Sequence, residues 1–325
     1  MRLAALVPDG RPSLEQQFRL FEESDRLIAA ACRLHGNLEV FEGVQRLLFL
    51  QYRQIVRHWK GAIAGDDVEA LHDLRVAIRK ARAVLRGFRK RLKPTSAREL
   101  DRHLRSLNRA LGPARDMDVW IAWLQDSLRA GPPAGQPRPE RYIARHQNRR
   151  RRQQTTVRRV LSESAFLALH THFNQLLRDE LPHLRADSAA TPFLTAARRV
   201  LDKQLHRARK LGKLRWSTEP ARRHRLRIAL RRVRYLAGFF APLLDSAVDQ
   251  LRKRAHAVEQ VLGEIRDTTR EIESLSHGHP PPPRGLQDRL RERRRQAEAA
   301  LEEVWSRFAD PRFHRELRAV LHAER

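Results

Sequence analysis

Apolar residues recur three and four positions apart over most of this chain, and Arg, Glu, Gln and Ala fill the positions between them. That spacing is the period of an amphipathic helix; the two-residue alternation of a half-buried strand is almost absent. Glycine is sparse, so the pattern predicts an all-α chain. Two Pro-rich stretches, Gly131 to Pro139 and Gly278 to Gly285, exclude a helix interior. Pro94, Pro182, Pro192, Pro220, Pro242 and Pro311 are expected at further helix boundaries.

The helical text occurs twice. His72-Asp73-Leu74-Arg75-Val76-Ala77-Ile78-Arg79-Lys80-Ala81-Arg82 recurs as His224-Arg225-Leu226-Arg227-Ile228-Ala229-Leu230-Arg231-Arg232-Val233-Arg234. Leu111-Gly112-Pro113-Ala114-Arg115-Asp116 recurs as Leu262-Gly263-Glu264-Ile265-Arg266-Asp267. Upstream, Arg46, Arg53, Arg57 and Lys60 correspond to Arg199, His206, Lys210 and Lys213, and an Arg-dense helix follows each Pro-rich loop, at Arg149–Arg152 and Arg291–Arg295. The shared offset of about 150 residues predicts one unit present in two copies. The copies are placed at 38–185 and 190–325, with 1–37 as a leading helix or arm. Each copy is expected to be an up-and-down bundle of four or five helices, the two related by a near-twofold rotation.

On a helical projection His72, Arg75, Arg79, Arg82 and Arg86 fall within an arc of roughly 80°, opposite Leu74, Ala77, Ile78, Ala81, Val84, Leu85 and Phe88. His224, Arg227, Arg231 and Arg234 share a face in the same way, opposite Leu226, Ala229, Leu230, Val233, Leu236 and Phe240. Helix surfaces usually mix signs. Here neighbours three and four apart are Arg and Arg, each such pair costing about 0.2–0.5 kcal/mol. A purely structural helix gains nothing from that repulsion, so both faces are assigned to an anionic ligand, and their removal is expected to relieve repulsion and leave the fold intact. Arg46, Arg53, Arg57 and Lys60 form another stripe, as do Arg98, Arg102, Arg105 and Arg109, and the stripes are expected to converge on one basic surface. Arg115-Asp116 and Arg266-Asp267 are read as braces at a helix junction, the carboxylate orienting a nearby arginine.

Charge sharpens this picture. The 325 residues hold 66 Lys and Arg against 38 Asp and Glu, a net charge of +28, far beyond what solubility requires. The partner should be a nucleic acid, an anionic membrane surface or a phosphate polymer. The prevalence of Arg over Lys suits forked donation to phosphate oxygens. With Cys32 as the single cysteine there is no internal disulfide, which fits a reducing cytoplasm. No run approaches the ~20 apolar residues of a membrane span, and Leu3 to Val7, ended by Pro8-Asp9-Gly10, is too short for a signal peptide.

The His-x-x-Arg-x-x-x-Arg-Lys/Arg-x-Arg helix, its second copy and the Leu-Gly-x-x-Arg-Asp that follows each closely resemble the CHAD family, helical domains named for their recurring histidines. The resemblance covers roughly residues 40–325, and the duplicated order makes it specific. It implies two helical bundles about a pseudo-twofold axis with a basic central surface, binding of inorganic polyphosphate, and association with polyphosphate granules. The positions it assigns to that role are His72, Arg75, Arg79, Lys80, Arg82, His224, Arg227, Arg231, Arg232 and Arg234. Arg46, Arg53, Arg57, Lys60, Arg105, Arg109, Lys210 and Lys213 join them from the flanking stripes. Some relatives carry a triphosphate-hydrolysing CYTH domain with an early Glu-x-Glu-x-Lys; that motif is absent, so a stand-alone member is expected. Asp73 is replaced by Arg225 and Arg86 by Gly238 in the second copy, so the halves need not contribute equally.

Other chemistries find little support. There is no Gly-rich phosphate loop and no paired-cysteine zinc spacing. His170-Thr171-His172 sends its histidines to nearly opposite sides of a helix, and Asp116 with Asp118 supplies too few carboxylates for a divalent ion. The expectation is therefore no cofactor, no metal and no enzymatic reaction. A phosphotransferase or phosphatase using His72 or His224 is the weaker alternative. General nucleic-acid binding is the stronger one, although only 6% of residues are aromatic and no familiar reader motif is present.

Overall fold

The computed structural model describes residues 12–23, 32–92, 94–129, 139–180, 191–276 and 285–323. Among them the chain is helical nearly throughout, and the one strand-like pairing is an isolated bridge between Glu39 and Pro192. It divides into two compact units between Leu194 and Thr195.

The first unit contains α1 (Leu14–Glu23), α2 (Val40–Ala64), α3 (Val68–Gly87), α4 (Pro94–Ala110), α5 (Gly112–Arg129), α6 (Pro139–Val160) and α7 (Glu163–Asn174), followed by a π-helical turn at Gln175–Glu180. α2 and α3 form its spine. Val44, Leu48, Tyr52, Ile55 and Trp59 are buried on one, Leu74, Ile78, Ala81 and Leu85 on the other. Burying one such side chain contributes roughly 1.5–3 kcal/mol, several times the cost of one like-charge pair on the opposite face, so packing decides the conformation.

Local signals set the ends. Asp67 caps α3 by accepting from the Glu69 N–H at 2.8 Å. α2 stops at Gly65, whose φ of 81° is the left-handed conformation that favours glycine. The last carbonyls of α2 would otherwise lack partners. Gln154 donates to Ala62 and Ile63, and Arg158 to Ile63 and Ala64. At the other end of α2 a Cβ on Gly43 would lie 2.2 Å from the Phe193 ring, so only glycine admits that phenylalanine.

α1 packs on α2 and α7, with Phe21 edge-on to Phe49 and Tyr52 at 5.6 and 5.7 Å. The leading segment is thus partly built into the first unit. Besides α1, the leading helix, six helices occupy this unit among the described residues, one more than the five expected at most for 38–185. The additional helix comes from a break at Ser162, which caps α7.

The second unit is built from most of α8 (Phe193–Lys210), a 3-10 turn at Gly212–Trp216, then α9 (Pro220–Phe240), α10 (Ser246–Ser276), α11 (Leu286–Ala309) and α12 (Pro311–His322). α10 packs against α9, α11 and α12. Asp310 caps α12, with Pro311 in its first turn. Pro94 and Pro139 also open helices, Pro220 opens α9, Pro192 directly precedes α8, and Pro242 sits in the 3-10 turn after α9. Pro182 and the loops at 131–138 and 278–284 lie outside the described residues.

Candidate functional site

α9 places Leu226, Ala229, Leu230, Val233, Leu236 and Phe240 in the core of the second unit. That fixes His224, Arg227, Arg231 and Arg234 on the other side, beside α10. A cavity of about 430 Å³ opens there, lined by Arg223, His224 and Arg227 of α9, Arg266 of α10 and Arg294 of α11. Arg227 is partly buried. Its Nε is buried and has no hydrogen-bond partner. Burial, reinforced by Arg231 and Arg266, pushes its pKa down, yet a guanidinium stays charged at neutral pH. It rests against α10 at Gly263, where a Cβ would come within 3.3 Å of Nε and 3.4 Å of Nη2. A side chain at this position would make the guanidinium give way by a few tenths of an ångström.

The rest of the α9 face differs from the expectation of an uncompensated cationic stripe. Arg231 and Arg234 share Glu259 of α10 at 2.5 and 2.8 Å, and Glu259 is only 6% exposed. In the first unit Arg82 and Arg86 share Asp101 of α4 at 2.8 and 2.9 Å. Each acid is supplied by another helix, so spacing within the basic helix could not reveal it. One carboxylate against two guanidiniums leaves a net positive charge in each cluster. It also means that deleting Arg231 and Arg234 together strands Glu259, contrary to the expectation that their loss only relieves repulsion, whereas deleting Arg82 still leaves Asp101 to Arg86.

Arg75 donates to the Gly112 carbonyl at 3.1 Å and lies 4.0 Å from Asp116. A Cβ on Gly112 would stand 3.7 Å from its Nη2, an ordinary contact. Arg115 reaches Glu69 at 3.2 Å and the Val68 carbonyl at 3.3 Å, fastening the start of α5 to the start of α3. Arg266 is held by its neighbour Asp267, Nε to Oδ1 at 2.8 Å. The Arg75 and Arg115 contacts are those of a brace at the α4–α5 junction; in the second unit the expected junction is absent, because Leu262–Asp267 lies within the continuous α10 and Arg266 is held by its own helix.

His72 and His224 stand at the N-terminal ends of the two arginine faces. Desolvation lowers the pKa of His72, helped by Arg115 and Arg79 and opposed by Glu69 and Asp73. Desolvation also lowers that of His224, with Arg266, Arg227 and Arg231 acting in the same direction. Both imidazoles are therefore neutral at pH 7.

The flanking stripe on α2 has other employment at its ends. Arg46 donates to the Arg33 carbonyl at 2.5 Å. Lys60 pairs with Glu15 at 3.4 Å and sits 5.1 Å over the Phe18 ring, so both hold the leading segment. Between them Arg53 is partly buried, its pKa lowered by desolvation and by Arg57, which is exposed. Arg98, Arg102, Arg105 and Arg109 are exposed along α4, and Arg105 adds to the repulsion felt by Arg82. Lys210 and Lys213 are exposed, while Lys80, Arg79 and Arg232 are partly buried. Asp118 is claimed by Arg150 at 2.5 Å. His170 bonds to the Tyr52 hydroxyl at 2.6 Å, whereas His172 stands edge-on to His103. Sequence reasoning missed Arg223, Arg294 and Trp216 as cavity-lining residues, and it missed the purpose of Gly263. Only the recurrence of that glycine in both copies pointed toward it.

The model of the CHAD domain family matches residues 46–276, more than half of the chain. Two uncharacterized proteins of Mycobacterium tuberculosis, MT2285 and Rv2226, are each 28% identical over 244 residues; the match spans 71% of this chain but 44% of theirs. Among solved structures, the crystal structure of the CHAD domain from the plant Ricinus communis superimposes with a TM-score of 0.64 at 23% identity, covering 90% of this chain and 94% of that one. PptA from Streptomyces chartreusis gives a TM-score of 0.50 at 17% identity, covering 83% and 98%. No described helix is long and apolar enough to cross a membrane.

Proposed function

The chain belongs to the CHAD domain family, and from that premise we propose that it binds inorganic polyphosphate through the basic helices α3 and α9, without catalysing a reaction. The observation that carries this reading is Arg227. Its guanidinium is partly buried with Nε enclosed and unsatisfied, and beside it stand Arg223, His224, Arg266 and Arg294, more cations than the nearby Glu259 and Asp267 offset. Removing a cation from water is costly unless an anion compensates. Phosphate oxygens would supply charge and acceptors together, and a polymer would extend along the exposed arginines. Glu259 and Asp101 hold arginines in place and leave the clusters positive, which suits many modest phosphate contacts better than one tight one. Association with polyphosphate granules follows from the same reading.

The test is titration with long-chain polyphosphate at several salt concentrations. Affinity should fall with a log–log slope of about −0.7 per phosphate neutralised, as for a single-stranded polyanion. Arg227→Ala should weaken binding and flatten the slope with the helical circular dichroism unchanged. Competition by duplex DNA and single-stranded RNA at one fixed salt should be weaker than by polyphosphate. No phosphate should be released when magnesium or manganese is added. Equal displacement by nucleic acid, or an Arg227→Ala protein with wild-type affinity and slope, would sink the reading.

A further inference from the structure

We infer that the α9 cavity is also a nucleotide site: it takes a nucleoside triphosphate, with the base stacked on Trp216 and the phosphates against Arg227. Only the anion-binding role of Arg227 is shared with the polyphosphate reading. A bare phosphate chain needs cations and donors and gains nothing from apolar walls. Yet the cavity is walled by Pro220, Leu262, Ile265 and Leu301 as well as by arginines. At its edge is Trp216, the most exposed large hydrophobic residue among those described, with 51% of its surface accessible.

That indole is anchored. The Arg215 guanidinium lies 4.9 Å from the Trp216 ring and 5.1 Å from Trp305, and it pairs with Glu302 at 3.3 Å. Trp305 in turn fits against Gly212, where a Cβ would come within 2.1 Å of its ring. An aromatic surface held at the mouth of a guanidinium-lined cavity is the arrangement that stacks a base and grips its phosphates. The single carboxylate lining the cavity, Glu298, is engaged by Arg294 at 3.1 Å and Arg223 at 3.6 Å, so cations remain in excess. The volume of about 430 Å³ is within the usual range for small-ligand sites.

The experiment compares ATP with inorganic tripolyphosphate by calorimetric titration in chelator-containing buffer. Tripolyphosphate carries more charge, so electrostatics alone ranks it first. Base stacking should reverse that order, with ATP binding more tightly. Trp216→Ala should weaken ATP by about tenfold, the order expected for one lost base stack, and leave tripolyphosphate unchanged. Trp216→Phe, which keeps an aromatic face, should leave ATP binding near wild type; where the alanine variant unfolds, Trp216→Leu serves in its place and should lose ATP binding to a similar extent. Arg227→Ala should weaken both ligands. ATP binding no tighter than tripolyphosphate, or unchanged in a folded Trp216→Ala or Trp216→Leu protein, overturns the nucleotide site while leaving polyphosphate binding standing. Trp216-dependent ATP binding without any binding of long-chain polyphosphate leaves the nucleotide site and removes the earlier reading.

Discussion

Arg227 and Arg231 are one helical turn apart, carry the same charge and should respond oppositely to removal. Arg227 has a buried Nε with no acceptor. Its loss should leave the unfolding midpoint unchanged or raised and should weaken polyanion binding. Arg231 and Arg234 neutralise a Glu259 that is almost wholly enclosed. Removing both leaves the buried carboxylate without its ion-pair partners, with an expected cost of up to about 3–5 kcal/mol, reduced by the remaining charge of Arg227 and by whatever protonation Glu259 then takes up. Urea titrations of Arg227→Ala and of the Arg231→Ala, Arg234→Ala double variant check this; equal midpoints would contradict it.

The histidines give a prediction in pH. For His72 and His224 the folded-state pKa is lowered. Between that lowered value and the ordinary value of about 6.5, the unfolded chain binds protons that the folded one does not. Stability of the free protein is therefore full above about 6.5 and declines as pH falls through that window. His58, His103, His146, His256 and His314 are lowered too, so stability does not isolate the site. Binding does. Bound phosphate favours the imidazolium, so polyphosphate affinity should rise as pH drops from 7.5 to 5.5, with proton uptake measurable in buffers of different ionisation enthalpy. The His72→Ala, His224→Ala double variant should lose most of that pH dependence.

At the scale of the element, the second motif turns out to be a seat for the first. α10 offers the bare backbone of Gly263 to Arg227, and α5 offers Gly112 and its carbonyl to Arg75. The fit is closer in the second unit, 3.3 Å against 3.7 Å. Gly263→Ala should therefore displace Arg227 and reduce polyanion affinity several-fold, whereas Gly112→Ala should change it little. Both should remain folded, since helical alanine is favoured over glycine by roughly 0.8–1 kcal/mol. Titration of the two variants side by side tests the asymmetry. The α2 stripe gives the counterexample to reading faces from spacing alone. Arg46 and Lys60 share its face with Arg53 and Arg57, yet both hold the leading segment.

For the whole molecule, a net charge of +28 sets two salt dependences of opposite sign. The free protein repels itself, and screening should raise its melting temperature by several degrees between about 0.01 and 0.5 M salt, as the Debye length falls from roughly 30 Å toward 4 Å. Polyphosphate affinity should fall over the same range, because the counterion release that drives it is lost. At low salt a saturating polyanion should raise the melting temperature by mass action. A melting temperature that falls with salt in the free protein would mean that pairs such as Arg82–Asp101 and Arg231–Glu259 outweigh the net repulsion.

The helical class, the basic helices with their buried faces and most proline boundaries were legible along the chain. Each is written in residues close along the chain. Periodicity fixes which side of a helix is apolar, and a proline or a capping Asp acts within one turn. The partners of the arginines were decided by the tertiary structure alone. Glu259 lies on α10 and Asp101 on α4, and no spacing within α9 or α3 announces a carboxylate arriving from another helix. The same holds for the 2.1 Å approach that Gly212 permits to Trp305 and for the anchoring of Trp216. Charge and pattern along a chain are local properties; burial, pairing and the shape of a cavity are set by whatever helix packs alongside.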